Sequence, residues 1–336
     1  MPAYGQGILP ASGALTNELT AVTRRAFVKR LVVQIYKAAP SLSLLLRNAE
    51  IARGGVSQIT VPIQGSSFVN SAWTGYDGTF SQPQLLNGAS TAQWNIAMNV
   101  VPIPLLGFES LVQSTEAVIP LVKARFADAK TVMIQTLATS LFASNASNTL
   151  AMNGLKDVYD DGTTVDSYGG VSRAANSFWK ATVYSTSFNI SRANLLARIV
   201  QTQQAAGGEA PDFVLLSLSD WAALAQDFMT AEQFNTSPGV RYGDDDVVNA
   251  GFKCLMVANT PVFADPFLTK GTGYIVNSKY LNLYVSDIAN FDFSGFESLI
   301  PNGQIGFVGT VLTGLQTVCT KPSTGMQMTT IANGAF

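Results

Sequence analysis

Apolar and polar positions recur along the chain with two different periods, and each period predicts one kind of element. From Leu19 to Ala39 the apolar residues follow helical spacing and the basic residues cluster on the other side, which predicts an amphipathic helix ending before Pro40. At about 1.5 Å per residue, a second helix from Ser114 to Ser144 would be roughly 35–45 Å long, a spine rather than a core filler. Its apolar stripe consists of Val118, Val122, Phe126, Met133, Leu137 and Leu141.

Two segments near residues 56 and 92 have the composition and period of strands. They read "VSQITVPI" (Val56–Ile63) and "AQWNIAMNVVPI" (Ala92–Ile103). In the second, large apolar residues alternate with small or polar ones, and the apolar set is Trp94, Ile96, Met98 and Val100. This alternation predicts one continuous half-buried strand.

The segment that joins these strands, Gln64 to Thr91, contains Asp77 as its only charged residue. Connections of this length are uncommon in compact domains and are usually functional or disordered. Disorder is disfavoured here because the segment is rich in aromatic residues. These are Phe68, Trp73, Tyr76 and Phe80. A long projecting hairpin has little of its own chain to pack on, so we expect these side chains to contact a partner subunit.

The second half of the chain alternates helices and strands. Ser191 to Ala206 predicts a helix with Ser191 as its N-cap and Gly207-Gly208 as its end. Phe213 to Leu216 predicts a buried strand, followed by a turn at Ser217 and a helix capped by Ser219. The closing "VLTGLQTVCTKPSTGMQMTTI" predicts two strands around Lys321-Pro322. The predicted fold class is therefore α+β.

Charged residues make up only 12% of the 336 residues, about half the roughly 25% usual for soluble domains. A free monomer normally keeps itself soluble with mixed surface charge, so we expect neighbouring subunits to cover much of this surface. A slightly apolar monomer remains the alternative on composition alone.

The net charge of -2 conceals a basic N-terminal region. Residues 1–53 carry seven basic and two acidic side chains, whereas the rest of the chain is acidic. The predicted arm helix has a basic face formed by Arg24, Arg25, Lys29 and Arg30. Such a face could lie on nucleic acid, on the acidic body of a neighbour, or in solvent.

Several classes of chemistry are excluded by composition. The chain has no histidine, which rules out a Ser-His-Asp triad and every His-ligated metal site. Cys254 and Cys319 are the only cysteines, so a disulfide framework is not expected and a reducing compartment fits. No segment has the pattern of a signal peptide or a membrane helix, and we expect a chain that is made and folded in the cytoplasm. No cofactor or metal is expected.

Two acidic clusters are the remaining candidates for chemistry. One comprises Asp157, Asp160, Asp161 and Asp166, and the other comprises Asp244, Asp245 and Asp246. Both lie among glycines, and we interpret them as solvated turns rather than as acid/base or calcium sites. The second cluster falls in a long polar loop, where it and Arg241 are candidates for contacts between subunits near a symmetry axis.

One stretch, "YGGVSRAANSFWKA" from Tyr168 to Ala181, concentrates Gly169-Gly170, Arg173 and Trp179. It resembles the Tyr-Gly-Gly-x-x-Arg … Trp stretch that follows the spine helix in some major capsid proteins of tailed bacteriophages, whose fold encapsulin shells share. "FVLLSLSDWAAL" resembles the strand–turn–helix of that family, and the closing strands are similar to its last two.

The resemblance implies the phage major-capsid fold over nearly the whole chain. Its parts would be an N-terminal arm with the amphipathic helix (residues 1–55), an extended β-hairpin loop (56–104) and a peripheral domain with the spine helix (105–169). An axial domain (170–290) and the return strands of the peripheral domain (291–336) would follow.

The function that the resemblance implies is structural and not enzymatic. The chain would assemble in the bacterial host cytoplasm into the icosahedral virion capsid, as hexamers and pentamers around double-stranded DNA. Its partners would include a portal, a decoration protein and a separate scaffolding protein, because no long extension precedes the arm. The alternatives are an encapsulin-like shell around a cargo enzyme and, less favoured, a soluble ligand-binding protein or hydrolase using the Asp clusters.

The role of the Tyr168–Ala181 stretch stays open between two interpretations. Gly169-Gly170 would permit a backbone turn that a side chain would block. Arg173 would donate to acidic groups within the subunit or across a contact, and Trp179 would supply buried area on either side. Since residues 64–91 contain no lysine, covalent Lys–Asn cross-linking through the hairpin is not expected.

Overall fold

The computed structural model describes residues 39–47, 49–52, 58–65, 76, 78, 89–106, 115–232, 254–299 and 306–332. The predicted arm helix lies outside these residues except for Ala39. Three further groups of predicted contact residues also lie outside them: the arm basic face (Arg24, Arg25, Lys29, Arg30), the hairpin aromatics Phe68, Trp73 and Phe80, and the loop residues Arg241, Asp244, Asp245 and Asp246.

The helices of the described part are α1 (Pro40–Arg47), α2 (Thr115–Phe142), α3 (Leu155–Val158), α4 (Arg192–Ala205) and α5 (Leu218–Glu232). The strands of the first half are β1 (Glu50–Ala52), β2 (Gln58–Gln64), β3 (Ala89–Asn95), β4 (Ala97–Leu106), β5 (Ser167–Tyr168), β6 (Val171–Ser172), β7 (Thr182–Tyr184) and β8 (Phe188–Asn189). Those of the second half are β9 (Phe213–Ser217), β10 (Cys254–Val257), β11 (Thr260–Asp265), β12 (Gly273–Val276), β13 (Leu281–Ser286), β14 (Asp292–Ser298), β15 (Gly306–Cys319), β16 (Met326–Met328) and β17 (Ile331–Ala332).

A five-stranded sheet carries the spine helix α2. Its order is β1-β13-β15-β14, and β4 pairs along the other edge of the long strand β15. One face of this sheet packs on α2, where Phe126 meets the ring of Phe293 with 5.0 Å between centroids. The described part of the predicted stripe on α2 is buried, as the helical period predicts, and consists of Val122, Phe126, Met133, Leu137 and Leu141.

A six-stranded sheet of order β10-β11-β9-β12-β16-β7 forms the second unit. The predicted strand at its centre, β9, is confirmed, and all of its residues are buried. Leu195 and Ile199 of α4 and Leu224 of α5 are buried in the same core as Val214 and Leu216 of β9. The predicted N-cap of α4 is confirmed as well, because the Ser191 hydroxyl accepts from the Asn194 N–H at 3.2 Å.

The prediction of one strand from Ala92 to Ile103 is wrong. The chain forms two strands that separate at Ile96, since β3 pairs with β2 whereas β4 pairs with β15. The side-chain amide of Gln316 donates to the carbonyl oxygen of Asn95 at 2.6 Å and holds this corner. The change of partner also changes the buried face: Trp94 is buried, but Met98 is exposed.

The predicted cap of α5 is also wrong. Strand β9 runs directly into the helix at Leu218, and the hydroxyl of Ser217, not of Ser219, accepts from the Asp220 N–H at 3.2 Å. The same hydroxyl donates to the Asp220 carboxylate at 2.6 Å. Ser217, the last residue of the strand, therefore caps the helix that follows it directly.

The two closing strands exist where they were predicted, but they belong to different sheets. β15 lies in the five-stranded sheet, and β16 pairs with β12 and β7 in the six-stranded one. Conversely, β13 at Leu281–Ser286 pairs with β15. The strand pairing therefore crosses the predicted boundary at residue 290 in both directions.

Candidate functional site

The two predicted hairpin strands pair antiparallel, with Gln58 opposite Asn95 and Gln64 opposite Ala89. Of the four aromatic residues predicted to contact a neighbour, Tyr76 belongs to the described part, and its side chain is exposed. The contacts of these aromatic residues with another subunit stay a prediction.

The Gly169-Gly170 turn touches the hairpin directly. The Gln93 N–H donates to the Gly169 carbonyl oxygen at 2.9 Å, which ties the turn to β3. Gly169 has a φ of +59°, and a Cβ at this position would lie 2.7 Å from ring atoms of Trp94. Both the left-handed conformation and the close approach therefore require glycine here.

A row of four aromatic rings continues from this contact along the hairpin. Neighbouring centroids lie 5.3 Å apart for Trp94 and Tyr168, 6.0 Å for Tyr168 and Trp179, and 6.3 Å for Phe178 and Trp179. The Trp179 Nε1 donates to the Tyr168 carbonyl oxygen at 2.9 Å. The row ends at Gly65 beyond β2, where a Cβ would overlap the ring of Phe178. We call Trp94, Tyr168, Trp179 and Phe178 the aromatic row.

Arg173 lies behind the aromatic row and is fully buried. Its guanidinium donates to the carbonyl oxygens of Asp157 at 2.5 Å, Val158 at 2.9 Å and Val165 at 3.0 Å. It also lies 3.7 Å from the carboxylate of Asp160. Burial lowers the pKa of Arg173 from its usual value, and the neighbouring Asp160 opposes that effect.

These contacts favour the intrasubunit interpretation of Arg173 and Trp179 over a contact with a neighbouring subunit. Both side chains have 0% exposure and take their hydrogen-bond partners from their own chain. The burial of Arg173 and Trp179 therefore favours the intrasubunit turn, one of the two interpretations that the sequence left open. A contact between the exposed residues of this stretch, such as Ala174, and a neighbouring subunit stays a prediction.

The interpretation of the first acidic cluster as solvated turns is wrong for two of its residues. Asp160 is buried and accepts from the N–H groups of Gly162 at 3.1 Å, Thr164 at 3.2 Å and Val165 at 2.7 Å. Asp157 is also buried; its carboxylate accepts from the N–H of Asn145 at 2.7 Å and the hydroxyl of Ser144 at 2.5 Å. A buried carboxylate needs such hydrogen-bond donors. Because these donors occupy the carboxylate oxygens of Asp157 and Asp160, neither residue is placed for acid/base chemistry.

The exposed face of β4 was missed by the sequence interpretation. Met98 and Val100 are 55% and 49% exposed, and Pro102 and Pro104 on the same face are exposed too. The register places Leu312 of β15 opposite Val100 and so extends this apolar face. The alternate prolines were the available signal, because proline in a sheet favours edge strands. We call Met98, Val100, Pro102 and Pro104 the β4 face.

Two further observations concern potential metal ligands and membrane-spanning helices. No group of three or more potential metal ligands comes together in the ranges that the structure describes. Among the same ranges, no helix is both long and apolar enough to span a bilayer.

Comparison with solved structures identifies the fold. No protein-family model matches the chain, and no curated protein gives a significant match. The capsid of cyanophage A-1(L) superposes with a TM-score of 0.68 at 14% identity, over 88% of this chain and 93% of that one. The capsid of Myoviridae phage XM1 gives 0.56 at 10% identity, over 87% and 92%. SrpI encapsulin from Synechococcus elongatus PCC 7942 gives 0.54 at 10% identity, over 87% and 90%.

At these identities the likeness establishes the fold. The chain has the α+β fold of phage major capsid proteins, which encapsulin shares, as the sequence resemblance implied.

Proposed function

We propose that this chain is the structural subunit of the icosahedral capsid of a tailed double-stranded-DNA bacteriophage. The observation that carries the proposal is the β4 face, an uncovered apolar surface beside the hairpin on a subunit with the capsid fold. Exposed apolar surface that is contiguous is characteristic of protein contacts. A second copy of the chain is the occupant that the fold favours.

The proposed mechanism is geometric and not catalytic. Each subunit would place its hairpin on a neighbour and offer its apolar sheet surface to another, so that one fold repeats around closed rings of six and five. Large apolar interfaces of this kind supply stability without any bound cofactor. The low content of charged residues, 12%, suits a surface that assembly covers.

The remaining partners belong to the same proposal. The basic residues of the N-terminal region would face either packaged DNA or an adjacent subunit, and a DNA contact of this type would be salt-dependent and independent of sequence. Assembly in the host cytoplasm with a scaffolding protein, a portal and a decoration protein would complete the virion.

An encapsulin-like shell is the second candidate, because SrpI encapsulin superposes at a TM-score of 0.54. It would share the subunit fold and the shell and would differ in the contents. The higher TM-score of 0.68 with the cyanophage capsid favours the phage capsid.

Electron microscopy with light scattering on the purified protein tests the proposal. The wild type should form shells, rings or sheets, and double-stranded DNA or a cargo protein inside them would separate the two candidates. Val100→Asp should abolish assembly because it places a charge in the β4 face, whereas Gln135→Glu on the exposed side of α2 should not. A stable monomer near 35.7 kDa for the wild type, with or without co-expressed scaffold, would contradict the proposal.

A further inference from the structure

The hairpin is held by its own subunit at both ends of its paired strands. At the near end, Gln316 donates to the Asn95 carbonyl oxygen, and its amide oxygen accepts from the Asn153 N–H at 2.9 Å. Gln316 is buried, so its amide fixes the corner between β3 and β4. At the far end, Phe178 lies against Gly65.

The contacts at the two ends lie far apart along the hairpin, and this separation limits how far the hairpin can rotate relative to its subunit. Seven paired positions run from Gln58 to Gln64, and at about 3.3 Å per residue they span roughly 20 Å. Between the ends, the Gln93–Gly169 hydrogen bond and the contact of Trp94 with Gly169 add a third support. A two-stranded ribbon alone is only marginally stable in water, so its direction depends on such supports.

Phe178 is suited to support the hairpin because its ring also packs on buried residues of its own subunit. Its ring meets Trp179 edge-on, and Trp179 is fully buried and hydrogen-bonded to Tyr168. Phe178 itself is half-buried, with one side on this core and the other on Gly65. This contact also requires glycine at position 65, because any side chain there would overlap the Phe178 ring and displace the hairpin.

We propose that Phe178, which packs on Trp179 of the aromatic row, positions the hairpin and sets the direction in which the hairpin leaves the subunit. The inference rests on the proposed function only for its consequence, which is the angle between neighbouring subunits in the shell. Loss of the far support would leave Gln316 and Gly169 as a hinge. The hairpin would then swing, and subunits would join at variable angles.

Hydrogen exchange followed by mass spectrometry tests the support itself, on whatever form of the full chain is purified. Phe178→Ala should speed exchange of the amides in β2 and β3 about tenfold or more, while β9 and β12 stay unchanged. Phe188→Ala is the matched control: Phe188 is also half-buried, but it packs on Tyr184, away from the hairpin. Equal exchange of the hairpin in Phe178→Ala and wild type would overturn the proposal.

A double-mutant cycle gives a second, independent test. Gly65→Ala should speed hairpin exchange in the wild type, because its Cβ overlaps the Phe178 ring. In the Phe178→Ala background the same change should have almost no further effect, since the ring is gone. If the effects of the two substitutions were additive, the Phe178 ring and Gly65 would not be coupled, which would contradict the proposed support.

Particle morphology separates this inference from the proposed function. If the wild type forms uniform shells, Phe178→Ala should give mixed diameters or open sheets and Phe188→Ala should not. Uniform Phe178→Ala shells would overturn the positioning role. Failure of the wild type to form shells under any condition would count against the proposed function, while the exchange experiments would still decide the role of Phe178.

Discussion

The guanidinium of Arg173 and the carboxylate of Asp160 lie 3.7 Å apart inside the subunit, with both side chains almost completely removed from solvent. Backbone groups supply the other hydrogen bonds of the two side chains: carbonyl oxygens accept from Arg173, and three N–H groups donate to Asp160. This pair organises the turn that holds the aromatic row. Its disruption should therefore affect folding before it affects assembly.

Arg173→Met should destabilise the subunit by about 3–5 kcal/mol, because it leaves a buried carboxylate and several carbonyl oxygens without their partner. Arg173→Lys should lose less, since an ammonium retains the charge but cannot reach as many acceptors as the planar guanidinium. Unfolding of dissociated subunits in guanidinium chloride measures the stability loss of both variants. Lys123→Met on the exposed side of α2 is the control and should shift stability by less than about 0.5 kcal/mol. An equally small effect of Arg173→Met would refute the role of the pair.

The two tryptophans of the aromatic row should respond differently to the same substitution. Trp179 Nε1 donates to Tyr168, whereas Trp94 Nε1 is buried without a hydrogen-bond partner among the described residues. Trp179→Phe should therefore cost about 1–3 kcal/mol more than Trp94→Phe in the free energy of unfolding. Both changes remove the same atoms, so the difference reports the hydrogen bond of Trp179 together with the unpaired Nε1 of Trp94. Equal losses would show that ring packing alone holds both side chains.

Asp265 should give the stability a specific pH dependence. This carboxylate lies at the end of β11 and accepts from the N–H of Ser41 at 3.2 Å, from the Ser41 hydroxyl and from the Phe267 N–H at 2.9 Å. Burial raises its pKa above the usual range despite these donors. The folded state then holds the proton more tightly than the unfolded state, so this residue costs stability as pH rises from its ordinary pKa through the raised one.

Asp265→Asn removes that cost. The stability difference between Asp265→Asn and the wild type should move in favour of the variant as pH rises through this window, and it should level off above it. Thermal unfolding from acid to neutral pH measures the difference, and Asp128→Asn on the exposed side of α2 serves as the control. A difference independent of pH would show that the Asp265 carboxyl has its ordinary pKa in the folded subunit.

Cys319 should behave as an inert thiol. It is fully buried on β15, and burial raises its pKa to about 12. A thiol reagent at pH 8 should therefore leave it unmodified in the folded protein and modify it fully after denaturation, since the thiolate is the reactive form. Labelling is best followed in a Cys254→Ser background, where Cys319 is the only thiol. Rapid labelling of the native protein would mean that β15 opens locally.

Several features of this fold were predictable because they depend on neighbours in sequence. The stripe on α2 follows from the 3.6-residue period, and the bounds of α4 follow from Ser191 at its start and Gly207-Gly208 after its end. The buried strand β9 was recognisable from its continuous apolar run. The capsid fold itself was inferred from short motifs in the correct order along nearly the whole chain.

Other features were decided only when distant segments met. The alternation from Trp94 to Val100 is unbroken in the sequence, but β3 pairs with β2 and β4 with β15, so the buried face changes at Ile96. Arg173 and Asp160 carry charges that a sequence places at the surface, and the structure buries them because each finds its partners in the other and in backbone groups. Local periodicity and capping determine where elements begin and end, whereas burial depends on long-range packing, which no local pattern encodes.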